Sequence, residues 1–246
     1  MAGANGQQTS AIAIGTFAAA GSVQGDSAIA IGMYAGDSGQ TDKAVAIGYK
    51  AGQTTQGTNS VAVGRQAGQN TQGNSSVALG YSAGIGTQGN YAVALGSGAA
   101  YSGQGENAIA IGYDSGLNNQ GASSIAIGYN AGWSMHANSI VINATGGATG
   151  VNSAAASSFV VKPIRNAVNA NYLQYNSTSG EITYTNDLAL DGVLTGSVFG
   201  DDSTLLVDGI NNRLVMANNT TDDLAEGSNN KYFTNGRAIA MTIVFG

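Results

Sequence analysis

The chain has no cysteine, one proline and one histidine in its 246 residues. Without cysteine there are no disulfides, no thiolate metal sites and no cysteine nucleophile. A single histidine leaves too few ligands for a zinc site. Charge is also scarce: Asp, Glu, Lys and Arg make up 9% of the chain, against about 25% in an ordinary soluble domain. The formal net charge is −6, and no basic stripe is present to hold a nucleic acid. No run approaches about 18 apolar residues, so neither a membrane helix nor membrane insertion is expected. The opening Met1-Ala-Gly-Ala-Asn-Gly has neither the basic nor the apolar region of a secretory signal. Glycine is abundant, at 38 residues, but not at the three-residue spacing of collagen. Apolar residues make up 43%, too many for simple disorder.

What the chain has in place of these is a repeat. Ala11-Ile12-Ala13-Ile14-Gly15 returns as Ala28–Gly32, Ala44–Gly48, Ser60–Gly64, Ser76–Gly80, Ala92–Gly96, Ala108–Gly112 and Ser124–Gly128, with a degenerate copy at Ser139–Asn143. The closing glycines are 17 apart once and 16 apart six times. A glutamine column keeps the same register at Gln24, Gln40, Gln56, Gln72, Gln88, Gln104 and Gln120, and a small-residue column runs from Ala35 to Ala131. The phrase alternates with a period of two, which predicts a short strand. A unit this short predicts one coil of a β-solenoid, hydrogen-bonded to the next. The fold class expected is all-β, a parallel β-roll or β-solenoid with 16-residue coils over residues 1–143.

Both faces of the repeated strand are apolar, one small and one large. A strand with one wet face would alternate apolar with polar. The expectation is that Ala and Ser fill a thin interior. Ile29, Ile31, Val45, Ile47, Val61, Val63, Val77, Leu79, Val93, Leu95, Ile109, Ile111, Ile125 and Ile127 then point outward. Such a stripe exceeds what monomers usually expose, and a closed homotrimer would bury it. The swapped arrangement, with Ile inside, is the alternative. The glutamines are expected to form an amide ladder, with His136 next in the column and Trp133 helping to cap the last coil.

The phrase Ser76-Val-Ala-Leu-Gly-Tyr-Ser-Ala83, repeated in register, resembles the head repeats of YadA-like trimeric adhesins. The resemblance covers residues 1–143. It implies a left-handed roll, with three chains side by side and the apolar phrase facing their common axis. The period of 16 is longer than the family's usual spacing, which bears on the turns and not on the coil.

Residues 144–157, rich in Gly, Ala, Ser and Asn, read as a linker, and 158–246 as a β-rich module. Charged residues number 8 before Ser158 and 14 from it onward. Hairpins are expected around Asn176–Gly180 and within Leu205–Val215. Thr221–Ala238 looks like a segment that recurs in tail-fibre and virion proteins of marine phages, and the phrases Val161–Asn166 and Gly196–Ser203 are similar to others there. That resemblance implies a phage tail-fibre segment, a rigid spacer and host-attachment element. It would be assembled in the host cytoplasm, with other virion or tail proteins and a host-surface glycan or receptor as partners. A bacterial trimeric surface adhesin is the first alternative, and an ice- or polysaccharide-binding solenoid the second.

No enzyme, cofactor or metal site is expected. The glycine-rich turns lack a phosphate-loop lysine. The pairs Asp201-Asp202 and Asp222-Asp223 put neighbouring carboxylates on opposite faces of an extended chain. One column is a candidate binding surface. After each closing glycine come Thr16, Met33, Tyr49, Arg65, Tyr81, Ser97, Tyr113 and Tyr129. Stacked tyrosines on a rod can meet sugars through an apolar ring and a polar tip; the alternative is that they only pack on neighbouring coils. Tyr91 and Tyr101 stand outside the column and are expected to be exposed.

Overall fold

The computed structural model describes residues 1–146, 150–164 and 172–185, with further strands at 197–199, 205–208 and 213–214. The chain divides into two compact units, Met1–Asn166 and Ala167–Gly246. The described residues hold strands and turns, and no helix long and apolar enough to cross a membrane.

The first unit is a parallel β-solenoid. Its main sheet has ten strands: Ile12–Ile14, Ile29–Ile31, Val45–Ile47, Val61–Val63, Val77–Leu79, Val93–Leu95, Ile109–Ile111, Ile125–Gly128, Ile140–Asn143 and Phe159–Lys162. Like stacks on like, with Val77 against Val93, Ala78 against Ala94 and Leu79 against Leu95. A smaller parallel sheet of four strands, Thr55–Gln56, Thr71–Gln72, Thr87–Gln88 and Gly103–Gln104, also belongs to the coil. Single bridges extend it, Gln40 to Gln56 and Gln104 to Gln120. At about 4.8 Å per step, the main sheet is about 43 Å from first strand to last.

Alanine is inside, as the strand alternation predicts, and the swapped arrangement is excluded. Ala30, Ala46, Ala62, Ala78, Ala94, Ala110 and Ala126 are fully buried, as are Ala35, Ala51, Ala67, Ala83, Ala99 and Ala131 from the turn after the strand. The interior is too thin for anything larger beside the glutamine. Glycine closes each strand because the next coil lies directly above: a Cβ on Gly80, at φ +132°, would sit 2.6 Å from the carbonyl oxygen of Gly96.

The glutamines cross this interior. Gln40 Nε2 donates to Ile29 O at 2.7 Å, to Ala44 O at 3.2 Å and to Gln56 Oε1 at 3.1 Å, while its own Oε1 accepts from Gln24 at 2.9 Å. The expected ladder is therefore present, and it also ties the coil's two sides together. It lapses in the middle, where Gln72 Oε1 and Gln88 Oε1 are buried without a partner. A second set of stitches runs outside. Asp42 accepts the backbone N–H of Asp26 at 3.0 Å, Asn74 that of Thr58 at 2.9 Å, and Asn90 that of Asn74 at 2.9 Å.

Three expectations are corrected at the end of the array. Met135, not His136, continues the glutamine column: it bridges to Gln120 and is buried, while His136 is exposed. The cause is a shortened coil, with Ile125 paired to Ile140 across 15 residues. Residues read as a linker include coil-forming ones, for Val151 and Ser153 are buried and Val151 bridges to Ala131. Phe159–Lys162 then pairs in register with Ile140–Asn143. Trp133 thus does not stand at the end of the array, and its side chain is partly exposed. The repeated phrase is lost here because the interior changes: Val141 and Val160 take the alanine positions and pack with Met135 and Val151.

In the second unit, Tyr172–Tyr175 pairs antiparallel with Ile182–Thr185. The turn is closed by Gly180 N–H donating to Asn176 O at 2.8 Å. Ser197–Phe199, Leu205–Asp208 and Arg213–Leu214 form an antiparallel sheet. Both expected hairpins are present. The paired aspartates and the segment 221–238 lie outside the described residues.

Candidate binding surface

The solenoid carries three outward surfaces. The first is the face of the main sheet. None of the fourteen aliphatic side chains expected to point outward is buried. Ile47, Leu79, Leu95 and Ile127 are exposed, and the other ten are half-buried against their neighbours in the ladder. Ile12, Ile14 and Phe159 carry the same apolar face to both ends of the array.

The second surface is the corner just after the main strand. Here the column is neither a uniform tyrosine stack nor a set of buried packing residues. The Arg65 guanidinium lies between two rings, 5.7 Å from the Tyr49 centroid and 5.2 Å from that of Tyr81. Lys50 approaches Tyr49 as well, at 5.5 Å. Tyr113 and Tyr129 stack with centroids 5.4 Å apart and planes 10° from parallel. Near the N-terminus the stacking shifts one residue along, to Phe17 and Tyr34 at 5.2 Å. That pair is visible in the sequence only if the residue after the column is also compared between coils. The two rings of each stacked pair sit one strand spacing apart because parallel in-register coils repeat every side chain in place.

The level between Tyr81 and Tyr113 has neither a ring nor a guanidinium. Ser97 stands between Tyr81 and Tyr113, and Gly98 follows it. Tyr81 and Tyr113 are 52% and 51% exposed, against 40% for Tyr129. Asp114 leans over Gly98, so that a Cβ there would run into its Oδ1. Its negative charge is the leading cause that pushes the Tyr113 hydroxyl above its usual value of 10.0. Burial in turn pushes the Asp114 carboxyl above 3.8, although its bond with Tyr113 works the other way.

The third surface is the outer face of the smaller sheet, where Thr55, Thr71 and Thr87 are exposed and in register. The ladder stops at Gly103. Tyr91 and Tyr101 are exposed elsewhere, as expected. His136 packs its Nδ1 against Ser153, and among the described residues no carboxylate is bonded to it. Among the described residues there is no group of three or more His, Cys, Asp or Glu that could hold a metal ion.

These features define a parallel β-solenoid that keeps alanine and glutamine inside and its branched side chains outside. The family model of the YadA head domain repeat matches two copies, over residues 42–67, 56–83 and 104–115. The array therefore contains YadA-type head repeats, as the phrase at 76–83 suggests. No curated protein and no solved structure matches the chain.

Proposed function

We propose that the chain is a non-enzymatic structural segment of a trimeric adhesin displayed on a bacterial surface. Three copies pack through the Ile, Val and Leu face and hold the remaining surfaces toward a host. The observation that carries this is the inversion of side-chain size. Alanine takes the inward place in the first eight strands of the main sheet while branched aliphatics stand on its outer face. Water disfavours an apolar strip of that length, and cyclic closure covers it without leaving a free edge for further growth. The head-repeat match supports the setting.

A virion fibre built on the same trimer is the second reading, favoured by the phrases at 161–166, 196–203 and 221–238. The head-repeat match stops short of all three. The neighbouring genes separate the two settings: a secretion signal with a membrane barrel supports the adhesin, and a tail-assembly gene cluster supports the fibre. Sedimentation equilibrium tests the trimer itself. A mass of three chains is expected, and a monodisperse monomer would remove the role assigned to the aliphatic face.

A further inference from the structure

We propose that the level of Ser97 is a binding slot for one hexopyranose ring, sandwiched between Tyr81 and Tyr113. The proposal deepens the adhesin reading and rests on it only for the source of the sugar, a host-surface glycan.

The ladder itself sets the size of the guest. Tyr81 and Tyr113 belong to coils two steps apart, about 10 Å at the parallel strand spacing. One ring placed midway would lie about 5 Å from each, the separation already seen between Tyr113 and Tyr129. The coil backbone fixes that opening. Gly98 N–H donates to Tyr81 O at 2.9 Å, and Asp114 N–H donates to Ser97 O at 3.0 Å. A slot whose walls are held before binding loses little freedom when it is filled.

Its walls also define the chemistry. Each tyrosine already has a neighbour on its far face, Arg65 behind Tyr81 and Tyr129 behind Tyr113. Among the described residues no ring or cation stacks on them from the side of Ser97, and both side chains are about half exposed. The negative face of an aromatic ring attracts the C–H bonds of a pyranose. At the floor, Ser97 and Asp114 offer a hydroxyl and a carboxylate oxygen to the sugar's own hydroxyls. Two substitutions coincide to make the space: Ser97 replaces a large residue, and Gly98 replaces a side-chain-bearing one. The neighbouring coils have Arg65-Gln66, Tyr81-Ser82, Tyr113-Asp114 and Tyr129-Asn130 at these places.

The test uses the full chain with methyl β-D-galactopyranoside and methyl β-D-glucopyranoside, followed by saturation-transfer NMR and by the ring signals of Tyr81 and Tyr113. Indole is run alongside to represent an aromatic side chain from a protein partner. At least one pyranoside is expected to shift both rings. Ser97→Tyr completes the ladder with a residue its neighbours already carry, and should abolish binding. Tyr81→Ala and Tyr113→Ala should each weaken binding by about three- to tenfold, the range for losing one stacked ring. Tyr91→Ala, an exposed ring outside the column, should leave binding unchanged. Sedimentation of the same samples reads assembly separately, so a failed trimer and a failed slot give different results. The slot is overturned if neither pyranoside shifts the rings, if indole alone does, or if Ser97→Tyr binds as well as the unaltered chain.

Discussion

Gln40 and Gln72 occupy equivalent places in the interior, yet they are bonded differently. Gln40 takes part in the ladder in both directions. Gln72 donates to Val61 O at 2.8 Å and to Ser76 O at 3.5 Å, and its carbonyl has no partner. Losing a buried hydrogen-bond partner costs about 1–3 kcal/mol for each group left unsatisfied. Gln40→Met leaves Gln56 Oε1 without its donor and takes one of three acceptors from Gln24 Nε2, and should destabilise by about 2–4 kcal/mol in urea unfolding. Gln72→Met should cost about 1 kcal/mol, since it removes an orphan along with a bond. Met135 already fills this column in the last coils. Equal costs at the two positions would show that the ladder contributes nothing beyond its links to the strand. Asp114 makes a prediction of opposite character. Its carboxyl is raised by burial, so the folded chain binds the proton more tightly than the unfolded one. Its ionised form therefore lowers stability above the raised value, and that loss disappears as pH falls below the ordinary 3.8. Asp114→Asn should melt slightly higher than the unaltered chain at pH 7, and the gap should close by pH 3. A gap that widens on acidification would contradict the burial argument.

At the scale of one coil, the glycine that ends the strand and the alanine at its centre impose separate limits. Gly80→Ala asks a side chain to adopt φ +132° and to occupy space taken by the Gly96 carbonyl. Neither demand is relieved by a rotamer change, because the obstacle is backbone. A loss above about 2 kcal/mol is expected in thermal or urea melts. Ala78→Val should cost about 1–3 kcal/mol by overpacking, although Val141 holds the equivalent place in a later coil. There the interior is rebuilt with Met135 and Val151. A neutral Ala78→Val would mean that the regular coil is wider than its alanines suggest. This contrast also explains what could be read in advance. Register and strand position were legible from the period, because each coil must repeat its neighbour; the inward alanines followed from the two apolar faces of the strand, with the swapped arrangement left open. The end of the array was not legible. Coils of unequal length keep their hydrogen bonds while losing the phrase, so the pairing of Phe159–Lys162 with Ile140–Asn143 left no spacing to follow. At the corner, the column that holds Arg65 and the tyrosines was visible from its spacing. What a missing ring at Ser97 does was not, since its meaning depends on which way Asp114 leans.

For the molecule as a whole, the outward aliphatic face gives a prediction whose sign depends on assembly. Leu79 lies in the middle of that face and is 41% exposed in a single chain. If the chain worked alone, Leu79→Glu would replace an exposed apolar group with a hydrated one. The change in stability should then be small, within about 0.5 kcal/mol, as for most surface substitutions. If three chains meet at this face, the same change places three carboxylates in one dry layer, where burying an unpaired charge is very costly. Assembly should then fail, giving monomers by sedimentation equilibrium, with stability that no longer rises with protein concentration. Thr71→Glu is the control: it adds the same charge to the outer side of the smaller sheet, at an exposed position in the same coil stack, and should leave the oligomer intact. If Leu79→Glu assembles as well as Thr71→Glu, the aliphatic ladder is not where the copies meet. If only Leu79→Glu falls apart, the inversion of side-chain size is the feature that builds the assembly, and the corner with its tyrosines is left facing outward for recognition.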